Sequence, residues 1–94
     1  MGLLQKIRQR LNDRDYYLSA HAEEELWADG LERKDVEHAI RKGRIEKKLS
    51  LDIRGTRYRI EGPARDGRTL HVVCRFDEKK ELLVITVYAL EVSK

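Results

Sequence analysis

The sequence predicts a single α+β domain with two or three N-terminal helices packed on one face of an antiparallel β-sheet. Three observations lead there. The hydrophobic period changes from that of a helix to that of a strand after Gly43. Turn-forming residues then separate the apolar segments at hairpin spacing. And 94 residues, 40% apolar and 39% charged, suffice for one modest core. The domain is taken as residues 1–94, with an N-terminal helix over 1–14 and the core over 15–90.

Leu3, Leu4, Ile7 and Leu11 recur at helical spacing around Lys6, Arg8 and Arg10, so a short amphipathic helix is expected to pack on the domain. Asp15 to Leu18 reads as a brief extended segment. Ser19 is the expected N-cap of a helix to about Asp29, with Glu23 and Glu24 near its positive end and Gly30 as its stop. A second central helix runs from about Glu32 to Lys42. Val36, Ala39 and Ile40 form its buried stripe, and Glu37 and Arg41 pair on its outer side.

Four strands follow, marked by Leu49, Leu51 and Ile53, then Tyr58 and Ile60, then Leu70, Val72, Cys74 and Phe76, and last Leu83, Ile85 and Val87. Arg54-Gly55, the Pro63–Arg68 stretch and Asp77–Lys80 supply the turns of an antiparallel meander. Pairing Phe76 with Glu81 would set Val72 against Ile85 and Cys74 against Leu83. A bulged connection at Pro63–Arg68 sets Ile60 against Val72 and Arg59 against Val73, which keeps Arg59 out of the core. The expected core is therefore Val36, Ile40, Tyr58, Ile60, Val72, Cys74, Leu83 and Ile85. The opposite sheet face would carry Arg57, Arg59, Glu61, Thr69, His71, Arg75, Thr86 and Tyr88 around an apolar strip of Val73, Leu82 and Val84.

Composition excludes several classes. No apolar run approaches the roughly 20 residues of a membrane span, and the opening stretch is too short for a signal peptide. Lys6 stands where a myristoylation motif wants Ser or Thr. A lone cysteine rules out an internal disulfide and a multi-cysteine zinc site, and a cytoplasmic location is expected. His71 and Cys74 are three apart on a strand, so they point to opposite faces and cannot share a metal. Cys74 reads as a small core residue. No Gly-rich phosphate loop or Ser/His/Asp arrangement is present, and no cofactor is expected. The net charge of +3 is strongly segregated: +3 over residues 1–14, −6 over 15–37, +7 over 38–75 and −1 over 76–94. Basic segments suit phosphate contact; the acidic one repels it.

Tyr17-Leu18-Ser19-Ala20-His21-Ala22, Gly30-Leu31, Asp35-Val36, Ile40 and Gly43 carry a resemblance. So do Arg57-Tyr58-Arg59-Ile60, Gly67-Arg68-Thr69-Leu70-His71-Val72-Val73 and Leu83-Val84-Ile85-Thr86-Val87-Tyr88. Over about residues 15–90 the chain resembles the RelE/ParE-like toxin superfamily, in an uncharacterised domain-of-unknown-function branch near the BrnT-type toxins. The resemblance implies a RelE-like fold. It also implies a metal-independent mRNA endonuclease or a gyrase poison, silenced by an antitoxin, with a site of basic residues aided by Tyr or His. It singles out His21 as a motif residue. In that branch arginines usually stand four and eight residues beyond this histidine; here those positions are Glu25 and Asp29.

Cleaving RNA without a metal needs a base for the 2′-hydroxyl, an acid for the departing oxygen and cations for the phosphorane charge. His71, Tyr88 and Arg75 are the catalytic candidates, and Arg57, Arg59 and Arg75 are the phosphate-binding ones. The same residues also suit a solvated sheet face with cross-strand pairs. The expected function is toxin-like RNA binding or cleavage. The alternatives are a non-catalytic protein-interaction module and a homo-oligomer built on Val73, Leu82 and Val84. Expected partners are RNA or a ribosome, an antitoxin protein and a second copy in a homodimer, with no membrane. His21 is expected to be neutral and bonded to backbone or a tyrosine, and His38 to be exposed. Trp27 reads as a partner anchor or as cover for the helix–sheet edge.

Overall fold

The computed structural model describes residues 2–49 and 55–90. Its elements are α1 (Leu3–Asn12), β1 (Tyr16–Leu18), α2 (Ala20–Ala28), α3 (Arg33–Lys42), β2 (Arg44–Leu49), β3 (Arg57–Pro63), β4 (Thr69–Phe76) and β5 (Leu82–Ala89). The fold is α+β. The strands form one mixed sheet in the order β1-β5-β4-β3-β2. Strands β2 to β5 make the expected meander, but β1 joins β5 in parallel, with Tyr16 opposite Leu82 and Leu18 opposite Val84. The purely antiparallel sheet is thus corrected, because three residues carry too little periodicity to announce a strand. Leu51, Ile53 and Arg54 of the expected first strand and turn lie outside the described residues.

Local chemistry explains the helices. Ser19 Oγ accepts the Ala22 N–H at 3.0 Å and donates to Ile85 O at 2.7 Å, so the α2 cap also ties the helix to β5. Gly30 ends α2 at φ 66°, in the left-handed region that glycine favours. Glu32 and Asp35 form a reciprocal capping box at the start of α3. Helix α1 packs on the domain as expected, burying Ile7 and Leu11. Its Arg8 donates to Ile40 O at 3.1 Å and Gly43 O at 3.0 Å, which satisfies carbonyls at the end of α3. Among the described residues no helix is long and apolar enough to cross a membrane.

The β3–β4 register is the expected one, with Ile60 opposite Val72 and Arg59 opposite Val73. The β4–β5 register is not. Phe76 pairs with Leu82 and Val72 with Val87, and a bulge beside the Val73–Thr86 pair leaves Ile85 as the extra residue. Leu82, Val84 and Val87 consequently enter the core, while Leu83 and Ile85 are only half-buried. Between Leu82 and Val87 only Thr86 is polar, so simple alternation could not set the phase of this strand. Leu82 and Val84 have 0% exposure, so the apolar strip expected on the outer face, and an oligomer built on it, have no surface to use.

Helix α3 lies against β3 closely enough for backbones to touch. A Cβ on Gly62 would sit 2.0 Å from Ala39 O, and one on Gly43 would sit 2.3 Å from Glu61 O. Nearby, buried Asp35 accepts from Glu32 N (2.9 Å), Arg65 N (3.0 Å) and Arg65 Nε (3.0 Å). The Arg65 guanidinium, helped by the two backbone amides, holds the Asp35 carboxyl at about 2, against the opposing effect of burial.

Two expectations test this packing. Gly62→Ala should lower stability by about 1–3 kcal/mol or more, since a carbonyl cannot rotate away as a side chain can. The denaturant midpoint followed by circular dichroism measures it. Asp35 titrates lower in the folded chain than its ordinary 3.8, so its contribution is complete above that value and fades as pH falls through about 2. That contribution is about 1–2 kcal/mol after allowance for solvent screening. Asp35→Asn should flatten the acid limb of the stability profile and lower stability at neutral pH.

Candidate functional site on the outer sheet face

Strand alternation directs Arg57, Arg59 and Glu61 of β3, Thr69, His71, Val73 and Arg75 of β4, and Thr86 and Tyr88 of β5 away from the core face. The registers set Glu61 beside His71 and His71 beside Tyr88. His71 is only 8% exposed. Its Nδ1 lies 3.0 Å from the Tyr88 hydroxyl and its Nε2 3.2 Å from Glu61 Oε1. The two rings meet edge-on, with centroids 5.3 Å apart. Hydrogen-bond logic assigns the protons: a neutral ring accepting from the phenol at Nδ1 carries its hydrogen on Nε2 and donates it to Glu61. Phenol, imidazole and carboxylate thus stand in a row, an arrangement in which a proton can pass from the phenol to the ring while the carboxylate orients the ring.

Arg59 flanks the row. Its Nε and Nη2 donate to Glu46 at 2.6 and 3.2 Å, a bidentate pair. The Glu46 hydrogen bond raises the Arg59 pKa, with neighbouring Tyr88 adding to the effect. Glu46 carries no signal in the sequence; it reaches Arg59 because β2 shifts register between Ile45 and Lys47. The second oxygen of Glu61 accepts from Arg44 Nη2 at 3.0 Å. The structure therefore brings together His71, Tyr88 and Arg59.

Arg57 and Arg75 share the face but sit toward the other end of β3 and β4, opposite Leu49 and Leu83 respectively. Four residues of strand put Arg75 about 13 Å from His71 along the chain. The structure therefore does not bring Arg75 to the His71–Tyr88 pair.

The remaining expectations divide. His21 is exposed and lies 3.3 Å from Glu25, not against backbone or a tyrosine, because it stands on the solvent side of α2 while Ala22 of the same turn points into the core. Glu25 Oε1 also accepts from Thr86 Oγ1 and, at 3.0 Å, from Val87 N. Strand β1 covers β5 only as far as Val84, and Glu25 occupies the open edge beyond it. His38 is half-buried rather than exposed, with Nδ1 2.8 Å from Pro63 O. Trp27 is 88% exposed and covers no edge. Cys74 is a core residue, and burial pushes its thiol up to about 12. Among the described residues no His, Cys, Asp and Glu group of three or more is placed to hold a metal.

The polar row and the edge-closing Glu25 lie within one recognised unit. A family profile described as a domain of unknown function (DUF4258) matches residues 18–89. The chain belongs to the DUF4258 family. The DUF4258 unit runs from the last residue of β1 to the end of β5, so it holds His21, Glu25, His71 and Tyr88 but not α1. No curated protein and no solved structure matches the chain.

Removing Glu25 should expose its role. Glu25→Ala leaves the Val87 N–H without its acceptor and should cost about 1–3 kcal/mol. Amide exchange at Val87 should quicken, and Glu25→Gln should lose less, because its carbonyl can still accept.

Proposed function

We propose that this DUF4258 protein is a toxin-like, RNA-binding and RNA-cleaving protein that works without a metal from its outer sheet face. The observation that carries the reading is the Glu61–His71–Tyr88 row with Arg59 beside it. It agrees with the resemblance to the RelE/ParE-like superfamily.

His71 is largely covered, so Tyr88 is the group that meets RNA. As the 2′-oxygen attacks phosphorus, its proton passes to the Tyr88 oxygen while the phenol proton moves to His71 Nδ1. Glu61 then stabilises the imidazolium. The phosphorus–5′-oxygen bond breaks, and the proton returns through the same pair to the departing oxygen. The products are a 2′,3′-cyclic phosphate and a free 5′-hydroxyl. Arg59 offsets charge on the phosphorane, while Arg57 and Arg75 hold flanking phosphates. An antitoxin that covers this face, and a cytoplasmic location, belong to the same reading.

A second reading, a non-catalytic protein-interaction module, is favoured by one observation. Trp27 stands bare on a helix whose solvent side also carries Glu23 and Glu24, with exposed Asp29 at its C-terminal cap.

Titration with single-stranded RNA at low and moderate salt separates the two. RNA affinity should fall with salt, and Arg75→Ala should weaken binding across sequences and flatten the slope by about one unit. Tyr88→Phe and His71→Ala should slow cleavage by about a hundredfold or more with little change in binding. Absence of RNA binding at low salt, together with harmless expression of wild type and variants, would overturn the first reading. It would leave the interaction module standing.

A further inference from the structure

A cleft of about 680 Å³ opens where the end of α1, β1 and one face of α3 meet. It is separate from the outer-face row, and its α1 and β1 walls lie outside the DUF4258 match. Its size is that of a small-molecule site. Four cations line it, Arg14, Arg33, Lys34 and Arg41, against two carboxylates, Glu32 and Glu37. Both carboxylates are engaged: Glu32 with Arg65 at 3.0 Å, and Glu37 with the Tyr16 hydroxyl and, at 3.7 Å, Arg41. The Arg33 guanidinium lies over the Tyr16 ring, 5.6 Å from its centroid. Burial and the Glu37 carboxylate push the Tyr16 phenol up to about 12, so it stays neutral and does not repel an anion.

Arg14 is the telling residue. It follows α1 with φ 59°, in the left-handed region where glycine is favoured. Neither Arg14 nor Lys34 has an ion-pair partner among the described residues. The left-handed turn closes α1, with Arg14 N on Leu11 O at 3.2 Å and Asp15 N on Arg10 O at 2.8 Å, and it sets the guanidinium at the cleft rim with no carboxylate among the described residues paired to it.

We propose that this cleft binds a small phosphorylated polyhydroxy compound, the phosphate monoester of a nucleoside or sugar. Arg14 and Lys34 take the phosphate, and Arg33 closes over it. Glu37 and the Asn12 carbonyl accept hydrogens from the hydroxyls. Arg33 is paired with Glu23 at 3.8 Å and Arg41 with Glu37 at 3.7 Å, so the two cations left over, Arg14 and Lys34, match a phosphate dianion. A bare phosphate would leave most of the volume unused.

Amide chemical-shift titrations with adenosine monophosphate, a hexose phosphate, adenosine and inorganic phosphate test this on the full chain. At least one ester should shift the amides of Arg14 to Tyr16 and Arg33 to Glu37, and which ester does so separates nucleoside from sugar. Adenosine and inorganic phosphate should bind about tenfold or more weakly than that ester, the loss of one charge-assisted contact or more. Lys34→Ala should weaken the ester about tenfold. Arg14→Gly should weaken it similarly while raising the melting temperature, a pairing that a merely structural arginine would not give. His71→Ala should bind the ester as wild type does, which keeps this site distinct from the RNA reading. The proposal is overturned if neither ester shifts those amides, if inorganic phosphate binds as tightly, or if Arg14→Gly lowers the melting temperature and leaves binding unchanged.

Discussion

Helix α3 approaches β3 so closely at Gly62 that a methyl group there would meet the Ala39 carbonyl at 2.0 Å. Much else depends on that distance. It lets His38 reach Pro63 O and Asp35 reach Arg65 from one helix, and it brings the end of α3 under Arg8. A strand pinned from below has little freedom above. Glu61 and Arg59 precede Gly62 on β3, so the packing that fixes the strand also fixes the two outer-face residues that bond His71 and Glu46.

What could be read from the sequence follows from where a wrong choice would be costly. The β3–β4 register was legible because a one-residue slip would carry Arg59 into the core. Ser19 and Gly30 marked helix ends because each meets a specific need at a helix terminus, whereas Gly43 stands in extended backbone after α3 where a Cβ would meet the Glu61 carbonyl. Strand β5 offered no such penalty. With Thr86 as its only polar residue between Leu82 and Val87, either phase buries apolar atoms, and the bulge at Ile85 lets Val84 and Val87 both face inward. The parallel pairing of β1 was hidden for another reason: it depends on the open edge of β5, not on any pattern within Tyr16 to Leu18.

Periodicity assigns a face but not a depth. It placed His71, Tyr88 and Arg59 together, yet gave no sign that His71 would be covered by the two partners beside it. Nor could it show which carboxylate each arginine would meet. Glu46 arrives through a bulge, and Glu25, which stands where the resemblance leads to an arginine, turns toward the β5 edge to accept from Val87. Glu25 thus has a structural use.

The ion pairs decide what the basic stretch over residues 38–75 can still offer. Arg44, Arg59, Arg65 and Arg68 each hold a carboxylate, so the formal excess there overstates the cation density open to a ligand. These pairs differ in depth, however. Asp35, under Arg65, is buried, and breaking that pair would strand its charge. The Arg59–Glu46 side chains are 24% and 27% exposed, so water can solvate Glu46 if its partner turns away. Replacing that carboxylate with a phosphate keeps the charge count at Arg59 unchanged. The arginine nearest Tyr88 is therefore held in a set orientation without being locked out of anion binding, whereas Arg65 is committed to the fold.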